Sequence, residues 1–249
     1  MMKISIITAT FNNESTIADT MYAVNSQSYK NIEHVIIDGK STDKTLEIIN
    51  KTKTNSTVVI SESDTGIYDA LNKGIKLATG DIIALLHADD IYADNNILKN
   101  AVELFETQNT DSVYADLQYV SKNNINKIVR YWKSGNFEYK KLKKGWMPPH
   151  PTFLIKKNIY EKYGYFDTNF KIAADYDIIL RFLGKYKITT AYLPQVMTKM
   201  RVGGASNKSL KNIILKMKED AKALRKNGFP SWRIVFMKNF SKIHQLFKK

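Results

Sequence analysis

Short runs of β-branched and apolar residues recur along the first half of the chain, with helical patterns between them. The apolar runs cover residues 3–8, 33–38, 57–61 and 81–86, and the helical patterns lie near 14–27, 43–51 and 67–78. Continuous apolar runs are typical of strands that are buried on both faces, and their alternation with helices predicts βαβ units. The pattern therefore predicts an α/β fold with a doubly wound, mainly parallel sheet.

The second half of the chain predicts a less regular arrangement that ends in helices. Strands are predicted over 112–120, 127–132 and 152–156, helices over 156–163 and 175–184, and a final strand pair over 186–193 and 195–202. Two further helices are predicted over 208–228 and 231–248, where Gly228 and Pro230 separate them. The sequence thus predicts a C-terminal helical extension of the α/β domain.

A polar cluster follows each apolar run of the first half. In order, these clusters read TATFNN, DGKSTD, SESDTG and HADD. Because the carboxyl ends of parallel strands meet at one edge of a sheet, we expect the clusters to lie together where open α/β sheets bind nucleotides. The last cluster carries two adjacent carboxylates, Asp89 and Asp90. Their mutual repulsion indicates either a divalent cation with oxygen ligands or, as the alternative, a solvated turn.

The charge of the chain is concentrated at its carboxyl end. The 249 residues carry a formal charge of +14, and residues 205–249 contribute +10 of it through twelve Lys or Arg and two acids. Such a balance indicates a polyanionic partner: nucleic acid, anionic lipid or a phosphorylated substrate.

The chain has no cysteine, which excludes disulfides, zinc–thiolate sites and a cysteine nucleophile and is compatible with a reducing cytosol. The N-terminus is typical of a first strand rather than a signal peptide, and no apolar stretch approaches membrane-spanning length.

Several stretches taken together resemble a known enzyme family. SIITATFNNESTIADTMYAVNSQSY, EHVIIDGKSTDKTLEII, SESDTGIYDALNKGIKLATGDIIALLHADD and HPTFLIKKNIYEKYGYFDTNFKIAADYDIILRF follow one another within about residues 3 to 205. In this order they resemble family 2 glycosyltransferases with the GT-A fold, a Rossmann-like sheet, and among these the bacterial enzymes of O-antigen and capsular polysaccharide assembly. The resemblance implies a transferase domain over 1–205, with a nucleotide-sugar half over 1–118 and an acceptor half over 119–205. Residues 206–249 are then a basic, amphipathic, helical tail.

For the donor, the resemblance implies contacts from the strand ends and from the helix that follows Gly66. The matching residues are Thr8, Ala9, Thr10, Asp38, Asp64, Gly66, Asn72 and Lys73. The first four would hold the nucleotide base and ribose, and Lys73 would reach a base or a phosphate. The alternatives are structural: a strand-to-helix turn after Thr8, a cap for Asp38 and a solvated helix face for Lys73.

HADD matches the family's DxD element, which contacts the donor ribose and a divalent metal. Asp89 and Asp90 take these positions, and the implied cofactor is Mn²⁺ or Mg²⁺ bridging the donor diphosphate. His87 replaces the first acid of the element; it could ligate the metal, bond the donor or fill space, and we favour a role other than metal ligand.

Arg201, within MRVGGASNK, would bring positive charge to the diphosphate from a mobile lid. An ordinary loop is the alternative.

For the acceptor, the resemblance implies a carboxylate base in the stretch AADYD. Asp175 matches the base of an inverting transfer, and its alternative role is to cap a helix. Asp177 would contact the acceptor or pair with Arg181, one helical turn later. Trp146 and His150 lie in the preceding aromatic, Pro-rich segment and would contact an acceptor sugar, with burial beside the Pro-rich turn as the alternative for Trp146.

The tail has an apolar stripe flanked by lysines. Trp232, Phe236, Phe240, Ile243 and Phe247 recur at helical spacing. Such a helix can lie in the interface of an anionic membrane, or it can pack its apolar face on the domain. We therefore expect a cytoplasmic enzyme that is peripheral at the inner face of the cytoplasmic membrane.

Together these observations predict an inverting, metal-dependent glycosyltransferase. It would move a sugar from a nucleotide-diphosphate donor, in the first place a UDP-sugar, to a glycan or polyprenyl-linked acceptor in bacterial surface polysaccharide synthesis. A sugar nucleotidyltransferase is disfavoured because TATFNNES lacks a Gly-rich, basic loop after the first strand. A non-catalytic protein that binds membrane or nucleic acid is the third alternative. No nucleic-acid motif is recognised, and we expect no nucleic-acid partner.

Overall fold

A computed structural model describes residues 1–203 and 210–235 of the chain. Its first half contains four parallel strands in the order β3-β2-β1-β4, with helices between consecutive strands. The strands are β1 (Ile4–Thr10), β2 (Ile32–Asp38), β3 (Thr57–Ser61) and β4 (Ile82–Leu85), and the helices are α1 (Ile17–Asn25), α2 (Thr45–Thr52) and α3 (Ile67–Leu77). Each strand matches a run predicted from the sequence. The crossover connections bring the carboxyl ends of all four strands to one edge.

The second half extends the same sheet with strands of both directions. These strands are β5 (Ile91–Tyr92), β6 (Ser112–Ser121), β7 (Asn124–Trp132), β8 (Leu154–Lys156) and β9 (Thr190–Arg201). Strand β8 lies antiparallel between β4 and β6, and β9 runs parallel to β6. The fold is therefore α/β with a mixed sheet, and the parallel arrangement predicted from the sequence describes its first half.

The predicted final strand pair is a single strand. Strand β9 continues through Pro194, but its register with β6 shifts there: Ala115 pairs with Leu193, whereas Asp116 pairs with Val196. Proline has no N–H to donate to the ladder, so an irregularity at this position is expected. The sequence pattern located the interruption but interpreted it as a turn.

The remaining helices are α4 (Ile97–Gln108), α5 (Tyr139–Leu142), α6 (Lys157–Tyr163), α7 (Ala174–Ile179) and α8 (Leu210–Lys226). Helix α4 was missed by the sequence analysis, although its apolar positions recur at helical spacing and are buried. Helix α7 continues as a π-helical turn over Leu180–Lys185, and together they cover the helix predicted over 175–184.

The C-terminal helices pack into the same core as the α/β domain. Leu224 of α8, followed by Phe229, Ile234 and Val235, joins the largest apolar cluster, which also contains Tyr114 of β6. A side chain at Gly184 would collide with the Phe229 ring, since a Cβ there would lie 2.6 Å from its Cζ atom. The start of the predicted tail is thus packed against the domain. Of its apolar stripe, Trp232 is 69% exposed, and residues 236–249 lie outside the described residues.

Within residues 1–203 and 210–235, no helix combines the length and apolar character that crossing a membrane requires.

Candidate active site

The end of β1 is enclosed by its neighbours. The hydroxyl of Thr8 donates to the Leu86 carbonyl (2.7 Å) and contacts His34 Nε2 (2.9 Å), and Thr8 has 0% exposed surface. Ala9 and Thr10 are also buried. In this conformation Thr8 lies between two central strands with no exposed surface, and its predicted donor contact stays a prediction.

Asp38, at the end of β2, has the structural role that the sequence left as an alternative. Its carboxylate accepts hydrogen bonds from the Ser41 backbone N–H (3.1 Å) and from the Ser61 hydroxyl (2.7 Å). The residue is fully buried. The predicted ribose contact is therefore not available to Asp38 in this structure, where the carboxylate closes the turn after β2.

The accessible part of this edge is formed by Phe11, Gly39 and Asp64. A Cβ atom at Gly39 would lie 2.7 Å from Asp64 Oδ2 and 3.6 Å from the Phe11 ring, so the three residues are in direct proximity. Phe11 is 57% exposed, and Asp64 accepts the backbone N–H of Gly66 (2.9 Å) in a turn with a positive φ of 133°. An exposed aromatic ring beside a carboxylate suits a nucleotide base, and Phe11 was not singled out from the sequence. The sequence feature that could have identified Phe11 is its position directly after a buried strand, where the chain reaches the edge of the sheet.

Two residues of α3 differ in what they offer a ligand. The side-chain amide of Asn72 donates to the Phe166 carbonyl (2.8 Å) and accepts the Phe166 N–H (2.9 Å). Both polar groups of Asn72 therefore fix a backbone segment in this structure, and its predicted donor contact stays a prediction. Lys73 stays partly exposed beside this edge, with Glu62 at 2.9 Å and the Ser63 carbonyl at 2.9 Å.

The acidic pair after β4 has one carboxylate that is buried without a partner. Asp90 is 1% exposed, and neither of its carboxylate oxygens has a hydrogen-bond partner among the described residues. Burial raises the pKa of Asp90 well above its usual value; the neighbouring charge of Asp89 adds to the increase, and Arg201 opposes it. The Arg201 backbone N–H and the Arg201 charge are the groups that favour the ionised form. A buried carboxylate without a hydrogen bond of good geometry is costly, so this arrangement favours an added cation as its partner.

The described residues offer an incomplete ligand set for a metal. No cluster of three His, Asp or Glu side chains with metal-binding geometry occurs within residues 1–203 and 210–235. Mg²⁺ and similar hard cations are commonly held by one or two carboxylates and completed by substrate phosphates and water. Asp90 and the half-buried Asp89 fit that kind of site.

A row of three side chains connects the acidic pair with Asp175. His87 Nε2 lies 2.9 Å from His150 Nε2, and His150 Nδ1 lies 3.3 Å from Asp175 Oδ2. Burial lowers the pKa of His150 to about 4 and also lowers the pKa of His87. Both rings are therefore neutral near pH 7. If His150 carries its proton on Nδ1, facing the carboxylate, then His150 Nε2 is an acceptor. His87 must therefore donate from Nε2, and the buried Nδ1 atom of His87 is left as an acceptor.

Tyr119 is influenced by the charges of both acidic groups and was not predicted from the sequence. Burial raises the pKa of Tyr119, Arg130 opposes the increase, and the charges of Asp90 and Asp175 add to it. The Arg130 guanidinium stacks over the Tyr119 ring at 5.0 Å from its centroid. The hairpin of β6 and β7 thus contributes to the site through a strand that sequence patterns identified only as structure.

Asp175 and Asp177 have opposite environments although they share the first turn of α7. The Asp175 side chain is 21% exposed, whereas Asp177 is fully buried and accepts from the Asn227 amide at 2.9 Å. Arg181 lies 3.7 Å from Asp177, so the predicted pairing is secondary to the bond from Asn227. The Asp177 carboxylate is enclosed between α7 and the end of α8, and its predicted acceptor contact stays a prediction.

Trp146 is held by the segment before it. Its indole N–H donates to the Ser134 carbonyl (3.1 Å), and its ring packs on Tyr114 and Phe137 with centroids 5.7 Å away in both cases. The side chain remains partly exposed, so packing accounts for most of its surface.

Arg201 supports the acidic pair from the end of β9. Its Nη1 donates to the Asp89 carbonyl (2.6 Å), and its Nη2 pairs with Asp19 of α1 (2.5 Å). The residue is buried, so the mobile-lid interpretation does not describe it. Of the rest of the predicted lid, residues 204–208 lie outside the described residues.

The chain belongs to glycosyl transferase family 2, whose family model matches residues 5–171. It is 28% identical over 208 residues to a PGL/p-HBAD biosynthesis glycosyltransferase of Mycobacterium tuberculosis, covering 82% of this chain and 78% of the relative. It is 37% identical over 123 residues to the Escherichia coli UDP-Glc:alpha-D-GlcNAc-diphosphoundecaprenol beta-1,3-glucosyltransferase WfaP, covering 49% of this chain and 48% of WfaP.

Solved structures share the fold. The Staphylococcus aureus TarS fragment 1–349 in complex with UDP-GlcNAc superposes with a TM-score of 0.70 at 17% identity, covering 99% of this chain and 73% of that one. The mannosyltransferase PcManGT of Pyrobaculum calidifontis, in complex with GDP-Man and Mn²⁺, gives a TM-score of 0.67 at 17% identity, covering 96% and 69%. The chain therefore has the GT-A fold, and the family membership makes it a glycosyltransferase.

Proposed function

We propose that this glycosyltransferase is inverting and metal-dependent, and that it moves a sugar from a UDP-sugar to a lipid-linked acceptor. The observation that carries the proposal is the pairing of two unlike carboxylate sites. Asp90 is buried and without a partner, as a cation ligand would be, while Asp175 is accessible, as a base would be. The contact between His87 and His150 links the segment of Asp90 to Asp175.

The donor nucleotide would lie on the edge formed by Phe11, Gly39 and Asp64. Phe11 stacks on the base, Asp64 accepts from a base or ribose group, and Lys73 supplies positive charge. TarS, a structural relative, was solved with UDP-GlcNAc, and WfaP is named for UDP-Glc, which supports a UDP-sugar. Ala9 and Thr10 are buried beneath this edge, where their small side chains would leave room for the nucleotide without contacting it.

Asp90 and Asp89 would hold Mn²⁺ or Mg²⁺ together with the donor diphosphate. A divalent cation at this place supplies Lewis-acid stabilisation of the negative charge on the leaving nucleoside diphosphate. PcManGT, which shares the fold, was solved with GDP-Man and Mn²⁺. His87, with Nδ1 as an acceptor, would bond a donor hydroxyl rather than the metal. Arg201 keeps the Asp89 backbone in place.

Asp175 would act on the acceptor. Its carboxylate takes the proton from an acceptor hydroxyl while that oxygen attacks the anomeric carbon of the donor sugar. The bond from the anomeric carbon to the diphosphate oxygen breaks, its electron pair leaves with the nucleoside diphosphate, and the anomeric configuration inverts. His150 holds one carboxylate oxygen, so that the other can face the acceptor.

The acceptor would be a saccharide carried on a polyprenyl diphosphate in bacterial surface polysaccharide synthesis, bound at the inner face of the cytoplasmic membrane. WfaP is named for a diphosphoundecaprenol acceptor. Helix α8 exposes Ile213, Ile214 and Met217 among its lysines. A helical surface that combines exposed apolar side chains with basic ones suits an anionic interface.

Nucleotide-sugar binding tests the donor and the metal. We expect UDP-sugars with Mn²⁺ at 100 times Kd to raise Tm by about 5–10 °C, since such a ligand adds about 2.7 kcal/mol. EDTA should abolish most of the increase. Radiolabelled sugar transfer to a polyprenyl-diphosphate-linked monosaccharide then measures activity. No stabilisation by any nucleotide sugar and no transfer to any such acceptor would refute the proposed function.

Vesicle flotation tests the membrane contact. We expect the full chain to bind vesicles with anionic lipid, to bind neutral vesicles weakly and to lose binding at high salt, since each basic residue near such a surface adds about 1 kcal/mol. Truncation after Val235 removes the distal part of the stripe and should reduce binding, while Ile234 and Val235 remain to fill the core. Equal binding to neutral and anionic vesicles, with and without this segment, would contradict the prediction.

A further inference from the structure

We propose that Glu219 of α8 positions Asp175 by capping residues 171–173, the backbone segment that leads into the helix carrying Asp175. This inference rests on the proposed role of Asp175 as the base, and it assigns a function in catalysis to the C-terminal helix. Glu219 contacts neither the donor edge nor the acidic pair. Its effect would be exerted through the backbone of residues 171–173.

The Glu219 carboxylate accepts three consecutive backbone N–H groups. Oε1 accepts from Lys171 (2.9 Å), and Oε2 accepts from Ile172 (2.9 Å) and Ala173 (3.0 Å). Glu219 is buried, so these charge-assisted bonds are little weakened by water. A single side chain, contributed by a helix much later in the chain, thereby fixes the backbone that enters α7.

The first turn of a helix leaves N–H groups without partners, and an acidic side chain in that turn commonly satisfies them. Helix α7 has no side-chain cap from its own first turn, although Asp175 lies within it. With Glu219 on the preceding N–H groups, the Asp175 carboxylate is directed to His150 instead. Glu219 thus fixes the backbone immediately before the turn that carries Asp175, and the Asp175 carboxylate contacts His150 rather than capping the helix.

Neighbouring contacts hold the same segment from two further sides. The Tyr68 hydroxyl of α3 donates to the Ile172 carbonyl (2.7 Å). At the other end of α8, the Asn227 amide donates to Asp177 (2.9 Å), in the first turn of α7. Helix α8 is thereby attached to α7 at two points on either side of Asp175. This arrangement restricts both the position and the rotation of the turn that carries the base.

The test compares Glu219→Ala and Glu219→Gln with Glu103→Gln, an exposed acid of α4 that serves as the matched control. We expect Glu219→Ala to reduce kcat about 100-fold, as for a misplacement of about 1 Å, with KM for the UDP-sugar unchanged. Glu219→Gln keeps an acceptor oxygen and should recover part of kcat. Glu103→Gln should match the wild type. Wild-type kcat in both Glu219 variants, or a loss confined to KM, would overturn the proposal.

Amide hydrogen exchange provides a readout that does not depend on sugar transfer. We expect the amides of residues 171–173 to exchange roughly tenfold faster in Glu219→Gln, with those of β1 and β2 unchanged. Unchanged protection of residues 171–173 would overturn the proposed cap even if activity falls. A wild-type chain without transferase activity would instead refute the proposed function, while the exchange result would still decide whether Glu219 caps this segment.

Discussion

Replacing Asp175 by asparagine is expected to reduce sugar transfer roughly a thousandfold while leaving the fold intact. General base catalysis contributes about 10²–10⁴-fold in enzymes, and the amide cannot take the acceptor proton. Asp175 is partly exposed, and its carboxylate contacts His150 rather than capping the helix, so an isosteric amide costs little stability. Steady-state transfer kinetics and thermal unfolding measure the two effects. Donor affinity should remain close to that of the wild type.

Asp177→Asn is the matched control, because it makes the same chemical change two residues away. Asp177 is buried and bonded to Asn227, with Lys226 at 3.4 Å, so its loss should lower Tm by several degrees. The amide of this variant keeps an oxygen that can accept from Asn227, so its folded fraction should transfer sugar far faster than Asp175→Asn. If Asp175→Asn retains full kcat, or if the folded Asp177→Asn protein is as inactive as Asp175→Asn, the assignment of the base to Asp175 is wrong.

Asp90→Asn is expected to stabilise the metal-free protein and to abolish its activity. A buried carboxylate without hydrogen-bond partners opposes folding, so the neutral amide should raise Tm by about 2–4 °C, or about 1 kcal/mol. Lewis-acid stabilisation is worth several kcal/mol, and about 1.4 kcal/mol corresponds to tenfold in rate, so transfer should fall roughly a thousandfold. Differential scanning calorimetry without metal and transfer assays with Mn²⁺ measure the two opposite changes.

The stability gain of Asp90→Asn should depend on pH with a defined sign. Burial raises the pKa of Asp90 above its ordinary value of 3.8, so the folded state holds this proton more tightly than the unfolded state. The contribution to stability is complete below 3.8 and is lost as the pH rises through the folded pKa. The amide of the variant does not titrate, so its Tm advantage over the wild type should grow from about pH 4 to about pH 8. A lower Tm for the variant at the upper end of this range would contradict the burial of an unpaired charge.

The sequence predicted the positions of ligand-binding segments better than the roles of individual side chains. Apolar runs locate β1, β2 and β4, and the parallel arrangement then brings the polar clusters after them to one edge. This reasoning placed Asp89 and Asp90 at the same edge as the other polar clusters, because strand direction decides it.

Side-chain roles within those segments depended on partners that are distant in the chain. Thr8 is used by His34 and Leu86, Asn72 by Phe166, and Asp177 by Asn227. In each case the residue type suits a ligand contact as well as a structural hydrogen bond. Only the tertiary contacts show that its hydrogen-bonding groups are already satisfied. No periodicity in the sequence could reveal these pairings.

Phe11 and Tyr119 illustrate the opposite error. Aromatic residues at a strand end or within a strand are most often part of a core, as Phe105 and Tyr114 are. The position of Phe11 directly after a buried strand is a weak signal beside that tendency, and Tyr119 has no signal of this kind. Phe11 becomes significant because it is exposed next to Asp64, and Tyr119 because two acidic groups influence it.

The order of strands in the sheet has a consequence for how this protein is made on the ribosome. Strand β4, which leads to the acidic pair, is completed on its second edge by β8, and the pairing joins Ile82 to Lys156. Arg201, which holds the Asp89 carbonyl, is synthesised later still. During translation the emerging first half therefore exposes an apolar, unpaired strand edge until residues 154–156 leave the exit tunnel, a period in which a nascent chain is open to mispairing or chaperone binding. The proposed site is therefore completed only after Arg201 has been synthesised.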